Sequence, residues 1–517
     1  MAKLTGTPAP DELVGTLEDD MLLGLDGDDR LHGGLGDDLL VGGRGDDRLD
    51  GGSGVDRASW GDAPGRGSGG FHGMWISLAA GVAEAVTGRD EHGFWQRDPV
   101  LERDALVGIE NATGTTHHDH VEGDAGRNTL HGLAGRDEVE GLGGDDTLAG
   151  DAGDDGLRGG DGDDLLYGGT GADQLEGGPG DDRAYAGPGD DRLLGDLGDD
   201  LLHGGDGDDR FSDGSLEPEA PEETGNDRYD GGAGVDTVDY HELSFAAEGQ
   251  GGVLVLLSYF GVSAGWARHG EEADRLVGIE NVVGTDRDDV LSGNAADNVL
   301  TGLGGDDRLF GRGGDDVLVV GSEPGPGGAN LADGGAGDDT LLGWGGSDDR
   351  LLGGQGADLL GGGAHALAEA ADQDRLDLGQ DAAQDRVVHQ LGRSIVGLEG
   401  GGVDRVLAFD PLLDLLAVEM HQSSAFGDVS LVDARDFLDS NDDGLLNDDD
   451  QELSALGADL VLDLGAVWER AFAADLPDDR PQQLVLAGIG SLSADRVTIP
   501  DLEPGWSLVA EPPDPLF

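Results

Sequence analysis

Residues 159–185 read GGDGDDLLY-GGTGADQLE-GGPGDDRAY, three nonapeptides in which glycine holds positions one, two and four, aspartate position six and an apolar residue position eight in most repeats. Eleven such units run without a break from Gly114 to Ser212, and five more run from Gly15 to Ser59. Further units surround Gly231 and extend from Gly284 to about Gly361. One nonapeptide cannot fold alone. Ordering nine backbones costs roughly 9–18 kcal/mol, while one buried leucine returns only about 1.5–3 kcal/mol. Stacked copies can share a core, because the x-U-x tripeptide around position eight turns its central side chain to one face. The glycine-rich hexapeptide then serves as the tight turn. Two turns and two short strands make an eighteen-residue coil, so turns eighteen residues apart lie above one another.

That stacking brings acid onto acid. Asp146, Asp164, Asp182 and Asp200 form one column and Asp155, Asp173, Asp191 and Asp209 another, at about the 4.8 Å strand spacing. Neighbours repel by about 0.9 kcal/mol even at the dielectric of water and by several-fold more inside a protein. A divalent cation between turns reverses the sign. Carboxylates with turn carbonyls make an all-oxygen cage, which suits Ca²⁺ and disfavours zinc or copper. The same position is held by Asp20, Asp29, Asp38, Asp47 and Asp56 in the first block and by Asp137 in the central one. Further along it is held by Asp227, Asp236, Asp289, Asp307, Asp316, Asp339, Asp349 and Asp358. Asn128 and Asn298 stand there in the second unit after each Gly-Thr opening, and these turns are expected to bind calcium poorly.

The nonapeptides resemble the repeats-in-toxin (RTX), or hemolysin-type, calcium-binding proteins, whose repeat is a calcium-binding β-helix motif. The resemblance implies an all-β, right-handed parallel β-roll (β-solenoid) in several blocks that fold on binding many Ca²⁺ ions, on the order of ten or more. It also implies secretion from a Gram-negative bacterium through type I machinery, read from an uncleaved C-terminal signal. The terminus Asp514-Pro515-Leu516-Phe517, an acidic residue before apolar ones, is similar to such signals. Low cytosolic calcium would keep the chain unfolded for export, and external calcium would then fill the sites.

Composition agrees with this reading. The net charge is −80 with a single lysine, Lys3, which speaks against nucleic acid and anionic membranes as partners. No cysteine occurs, so neither disulfides nor thiolate sites contribute. No basic-then-apolar leader opens the sequence, and no run of about twenty apolar residues could span a bilayer as a helix. An acidic, glycine-rich disordered tail would share this composition. It would have no reason to keep Leu130, Val139, Leu148, Leu157, Leu166 and Leu175 nine residues apart. Without calcium, disorder is expected.

The sequence divides into repeat blocks at 1–59, 114–239 and 284–361, interrupting β modules at 60–113 and 240–283, and a roll-closing and C-terminal region at 362–517. The modules are duplicates, ending in DALVGIENATGT from Asp104 and DRLVGIENVVGT from Asp274. Each contains an apolar run, from Met74 and from Val253, that predicts strands covering a roll end. Loops around Phe94, Trp95 and Trp266 leave room for binding, with a cell surface or polysaccharide as the open possibility. In the C-terminal region GVDRVLAFDPLLDLLAV from Gly402 resembles roll-closing segments, with Asp404, Asp410 and Asp414 at its last turns. A second kind of site is predicted at DSNDDGLLNDDD, an EF-hand-like loop with Asp439, Asn441, Asp443, Asn447 and Asp450 as side-chain ligands and Gly444 at its sharp turn. It sits in what reads as a small β-rich domain.

The expectation is a protein without catalysis of its own. HExxH is absent. Gly261-Val262-Ser263-Ala264-Gly265 satisfies G-x-S-x-G, yet the duplicate has Gly81-Val82-Ala83-Glu84-Ala85 there, without serine. His117, His118 and His120 could hold a transition metal but read as exposed polar turn residues. An adhesin or matrix protein using the rolls as a calcium-rigidified spacer is one alternative, and a serine hydrolase using the G-x-S-x-G at 261–265 is the other.

Overall fold

The computed structural model describes residues 1–61, 72–89, 95–97, 103–212, 225–241, 243, 252–257, 264–269, 272–321, 328–343 and 349–362, together with strand backbones between 375 and 493. It divides into two compact units, Met1–Ala246 with Glu272–Ile279, and Ala247–Glu271 with Glu280–Phe517. Among the described residues every regular element is a strand. The fold is all-β, with parallel strands in two sheets, as a β-roll requires.

In the first unit the eighteen-residue period is visible in the pairing. Thr147–Ala152 pairs in parallel with Leu165–Thr170, setting Leu148 beside Leu166. Gly156–Asp161 pairs in parallel with Gln174–Glu176 on the opposite sheet, setting Leu157 beside Leu175. Consecutive nonapeptides therefore alternate between sheets. Position eight points inward from both, so Leu148, Leu166, Ala184 and Leu202 face Val139, Leu157, Leu175 and Leu193 in a core from which water is excluded. Phe211 and Tyr229 thicken it late in the unit, their ring centroids 5.6 Å apart.

The turns show why glycine recurs. Gly162 has φ 138°, and a Cβ there would lie 2.2 Å from the carbonyl oxygen of Gly144 one coil earlier. Position two is left-handed even where the residue is Leu133, Leu142 or Asp151, with φ between 74° and 85°. Each of these costs roughly 1–2 kcal/mol that glycine would avoid.

The first interrupting module does not end the roll. One sheet passes it without a gap, since Arg57–Ser59 pairs directly with Asn111–Thr113. In the other, Arg103–Val107 pairs in parallel with Arg48–Ser53. The antiparallel hairpin Gly73–Ser77 and Val82–Arg89 then bridges Arg103–Val107 to His120–Glu122. The apolar run from Met74 is thus an inserted strand of the wall rather than a cover for its end. Its side chains Met74 and Ile76 continue the core ladder.

In the second unit Leu254–Leu256 pairs antiparallel with Ala264–His269 and in parallel with Val290–Ser292. The stack continues through Arg308–Phe310, Leu331–Ala336 and Arg350–Gln355. The second sheet of this unit runs from Asn281–Val283 to Leu359–Gly362 with Val282, Leu300, Leu318, Leu341 and Leu360 inward. Further on, the backbones of Asp459–Asp463 and Gln483–Leu486 pair antiparallel. In the EF-hand-like loop only the backbone of Leu445–Leu446 is described, paired with Leu492–Ser493. Asp439, Asn441, Asp443, Asn447 and Asp450 lie outside the described residues, as do Ser263, Phe94, Asp410 and Asp414.

Candidate metal centre

Each position-six aspartate of the central roll ties its coil to the next. In the central roll the Asp146 backbone N–H donates to Oδ1 of Asp164 at 2.7 Å, and Asp164 to Asp182 at 2.7 Å. Asp155 does the same to Asp173, and Asp173 to Asp191. One oxygen of every carboxylate is thereby satisfied by the coil before it. The other is not: Oδ2 of Asp137, Asp146, Asp155, Asp164, Asp173, Asp182, Asp191, Asp200 and Asp209 is buried with no hydrogen-bond donor. The same holds for Asp29, Asp38, Asp56, Asp307, Asp316 and Asp339.

Most of these orphaned atoms share one environment. A Cβ placed on the position-one glycine Gly141 would lie 2.3 Å from Oδ2 of Asp146 and 2.4 Å from the carbonyl oxygen of Gly159, one coil on. At Gly159 the corresponding neighbours are Oδ2 of Asp164 and the carbonyl of Gly177, at 2.3 Å and 2.5 Å. A carboxylate oxygen and a carbonyl oxygen thus converge beside a residue with no side chain. Two acceptors with no hydrogen between them are unfavourable until a cation separates them. Among the described residues no three His, Asp or Glu side chains gather on one point, and the further oxygens found beside these carboxylates are backbone carbonyls. That donor set fits a hard, oxygen-seeking ion such as Ca²⁺, whose chemistry here is charge neutralisation.

The electrostatics report the same deficit. With no cation, burial pushes Asp137 and Asp200 up to about 8 and Asp146, Asp173, Asp182 and Asp209 up to about 7. Asp155 and Asp164 rise to about 6. Burial is the main cause in all of them. In Asp182 and Asp200 the N–H of the preceding coil opposes it, and neighbouring carboxylates add to it. In the second unit Asp307 and Asp339 reach about 7 and Asp289 and Asp316 about 6, again through burial first.

Every sequence-predicted aspartate of the three blocks is buried, from Asp20 and Asp47 through Asp227 and Asp236 to Asp349 and Asp358. Several residues the sequence reading missed occupy the same position. Asp11 donates its N–H to Asp29 Oδ1, and Asp119 donates to Asp137 Oδ1. Asn330 accepts from Asp307 and donates to Asp349. Counting back nine from Asp339, or six along the unit that starts at Gly114, finds Asn330 and Asp119 in the sequence. Asp104 and Asp274 carried a subtler signal, the shared aspartate that opens both D-x-L-V-G-I-E-N motifs.

Those two differ from the orphaned set, and a few repeat aspartates share the difference: Thr16 donates to Asp20 Oδ2 and Thr285 to Asp289 Oδ2. Asp104 Oδ1 accepts the N–H of Asp47 at 3.0 Å, and its Oδ2 accepts the indole N–H of Trp60 at 2.8 Å. Asp274 Oδ1 accepts from Asp227 at 3.1 Å, and its Oδ2 accepts the Tyr240 hydroxyl at 3.0 Å. Asp227 in turn receives the Tyr229 hydroxyl on Oδ2 at 2.9 Å. At Asn128 the amide Nδ2 donates to the carbonyl of Glu110, and at Asn298 to that of Glu280.

The histidine trio is partly corrected. His117 and His118 are exposed, and His118 Nδ1 accepts from the Arg136 backbone. His120 is buried, its ring parallel to Trp75 at 6.0 Å between centroids. It lies on a strand, so the period-two rule that turns Val121 inward sets His120 outward, where two tryptophans cover it.

Stacked parallel turns that present carboxylate and carbonyl oxygens together define a calcium-binding β-roll. Comparison with known families gives the same answer: the profile of the RTX calcium-binding nonapeptide repeat matches residues 5–40, 23–58, 113–148, 140–175, 149–184, 176–211, 223–238, 283–318 and 325–360. The repeat blocks of this chain are RTX calcium-binding nonapeptide repeats. No curated protein matches it in sequence. Among solved structures it is similar to the extracellular lipase LipA from Serratia marcescens, at 18% identity and TM-score 0.14, over 64% of this chain and 40% of the lipase. It is also similar to a hyperactive, Ca²⁺-dependent, β-helical antifreeze protein from an Antarctic bacterium, at 13% identity and TM-score 0.19, over 83% and 96% of the two chains. The fold assignment rests on the strand pairing itself. Among the described residues no helix is long and apolar enough to cross a membrane.

Proposed function

We propose that this chain is a secreted protein whose rolls fold outside the cell by taking up many calcium ions, and that it carries no catalytic domain of its own. The observation behind this reading is the column of buried Oδ2 atoms lacking a donor, most of them beside a carbonyl oxygen of the adjoining coil. A chain with net charge −80 and no cysteine has little else to hold it together at calcium-poor cytosolic conditions, and millimolar external calcium suffices even for weak sites. Position-six aspartates in ordinary coils are the side-chain ligands in this reading, with the position-one carbonyls of the adjoining coil. Asn128 and Asn298 are positions where an amide N–H takes the cation's place.

Metal analysis of the chain after dialysis against calcium is expected to return on the order of ten or more ions per molecule; one or none would overturn the reading. Export is tested by co-expression with a type I secretion apparatus in a Gram-negative host, where accumulation in the medium is expected and retention in the cytosol speaks against it. A hydrolase activity abolished by Ser263→Ala would contradict the absence of catalysis.

A further inference from the structure

On the outer face of the sheet that contains the inserted hairpin, position-seven residues form a row along the stack: Trp75, His120, Glu138, Gly156, Gln174 and Arg192 in successive pairing. Gly156 interrupts it. No turn explains this glycine: it begins a strand, its φ is not left-handed, and a Cβ would find only the Asp137 carbonyl, at 3.9 Å. The gap opens a groove of about 470 Å³ from Glu138 to Ser212, within the range of small-ligand sites. Five strands border it, a length of about 19 Å at the usual strand spacing.

The first module reaches one end, at Glu138. Trp95, half-buried on the short strand Trp95–Arg97, tilts over His120 at 6.2 Å and donates its indole N–H to Glu138 Oε2 at 2.8 Å. Trp75 lies beneath, between His120 and the Arg97 guanidinium, which sits 4.2 Å from its ring. Along the floor Arg158 binds Glu176 at 2.8 Å, with Gln174 and Arg192 alongside.

We propose that this groove binds an uncharged oligosaccharide chain, with Trp95 as the wall against which a sugar ring packs. The Arg158–Glu176 pair and Glu138, fixed by Trp95, offer donors and acceptors for hydroxyl groups, with Gln174 and Arg192 exposed beside them. The indole offers an apolar face for ring C–H groups. An anionic glycan meets three glutamates, Glu138, Glu140 and Glu176, against two arginines, Arg158 and Arg192, on a chain of net charge −80. A peptide strand finds no open edge here, because the bordering strands already pair on both sides within the sheet.

The test is calorimetric titration of the full, calcium-loaded chain with neutral hexasaccharides of glucose, mannose and N-acetylglucosamine, with a hexauronate as the anionic control. At least one neutral chain is expected to bind. Gly156→Leu fills the gap at a position where neighbouring coils carry Gln174 and Arg192, so calcium-induced folding is retained and binding is lost. Trp95→Ala weakens binding by about tenfold or more through loss of the ring contact and provides the reading should Gly156→Leu fold poorly. Binding of the hexauronate alone, no binding of any neutral chain, or undiminished binding by Gly156→Leu and Trp95→Ala would each overturn the proposal.

Discussion

The ordinary coils and the two module junctions use the same aspartate in two ways. In a coil such as that of Asp164, the preceding backbone satisfies Oδ1 and nothing satisfies Oδ2. At the junctions the Trp60 indole does for Asp104, and the Tyr240 hydroxyl for Asp274, what no group does for Asp164. A neutral hydrogen-bond donor built into the chain can thus occupy the place that a cation must fill elsewhere. The difference separates two sources of stability in one fold: coils that depend on an external ion, and positions, the two joints and the coils of Asp20, Asp227 and Asp289 among them, where the chain supplies its own donor.

The broadest way to break this comparison is pH in the absence of calcium. The unfolded carboxylates titrate near 3.8, whereas burial raises Asp137, Asp146, Asp164, Asp182 and Asp200 of the metal-free roll to about 6–8. Between these values the folded chain holds more protons than the unfolded one. Stability therefore falls as pH rises through the window and is fullest below it. Chelated protein is expected to show more β signal in circular dichroism at pH 5 than at pH 8. Equal spectra at the two values would mean that the coil aspartates are not the destabilising element.

A narrower effect belongs to one coil. Asp164→Ala removes a buried charge partner and is expected to destabilise the calcium-loaded roll by about 3–5 kcal/mol and to raise the calcium concentration at half-folding. An unchanged titration would remove Asp164 from the ligand set. At the joints, Trp60→Phe and Tyr240→Phe each take one hydrogen bond from a buried Oδ2, at a cost of about 1–3 kcal/mol, read by urea denaturation at saturating calcium. Both variants are expected to leave the amount of calcium bound unaltered. Smallest of all is Asn128→Asp, which gives up the amide bond to Glu110. It is expected to lose about 1 kcal/mol without calcium and to recover it when calcium is added.

Much of this was legible in the sequence because the repeat is strict. The nine-residue spacing of Leu148, Leu157 and Leu166 sets strand length, sheet alternation and core together, and the aspartate at position six marks the metal column. What the spacing does not carry is the direction of each carboxylate oxygen. Stacking arithmetic alone sets acid against acid. In the structure the N–H of the preceding coil takes Oδ1, and the deficit concentrates on Oδ2. The joints were illegible for a different reason: Trp60 and Asp104 are 44 residues apart, and no local pattern links an indole to an aspartate across an inserted hairpin. The same distance hid the path of the module. An apolar run such as Met74–Ser77 suits a covering strand and a wall strand equally, and only its pairing with His120–Glu122 decides between them. His120 was misread because it falls beside a turn, while its strand position and two distant tryptophans bury it.

The central claim, that cations between stacked turns make the compact roll possible, is tested most directly by following circular dichroism of the whole chain at pH 8 during calcium titration, with magnesium as control and chelator added at the end. Magnesium holds its hydration water and demands a stricter geometry. The account predicts a cooperative gain of β signal with calcium, little with magnesium, and full reversal by the chelator. A chelated chain that keeps its complete β signal at this pH would contradict it.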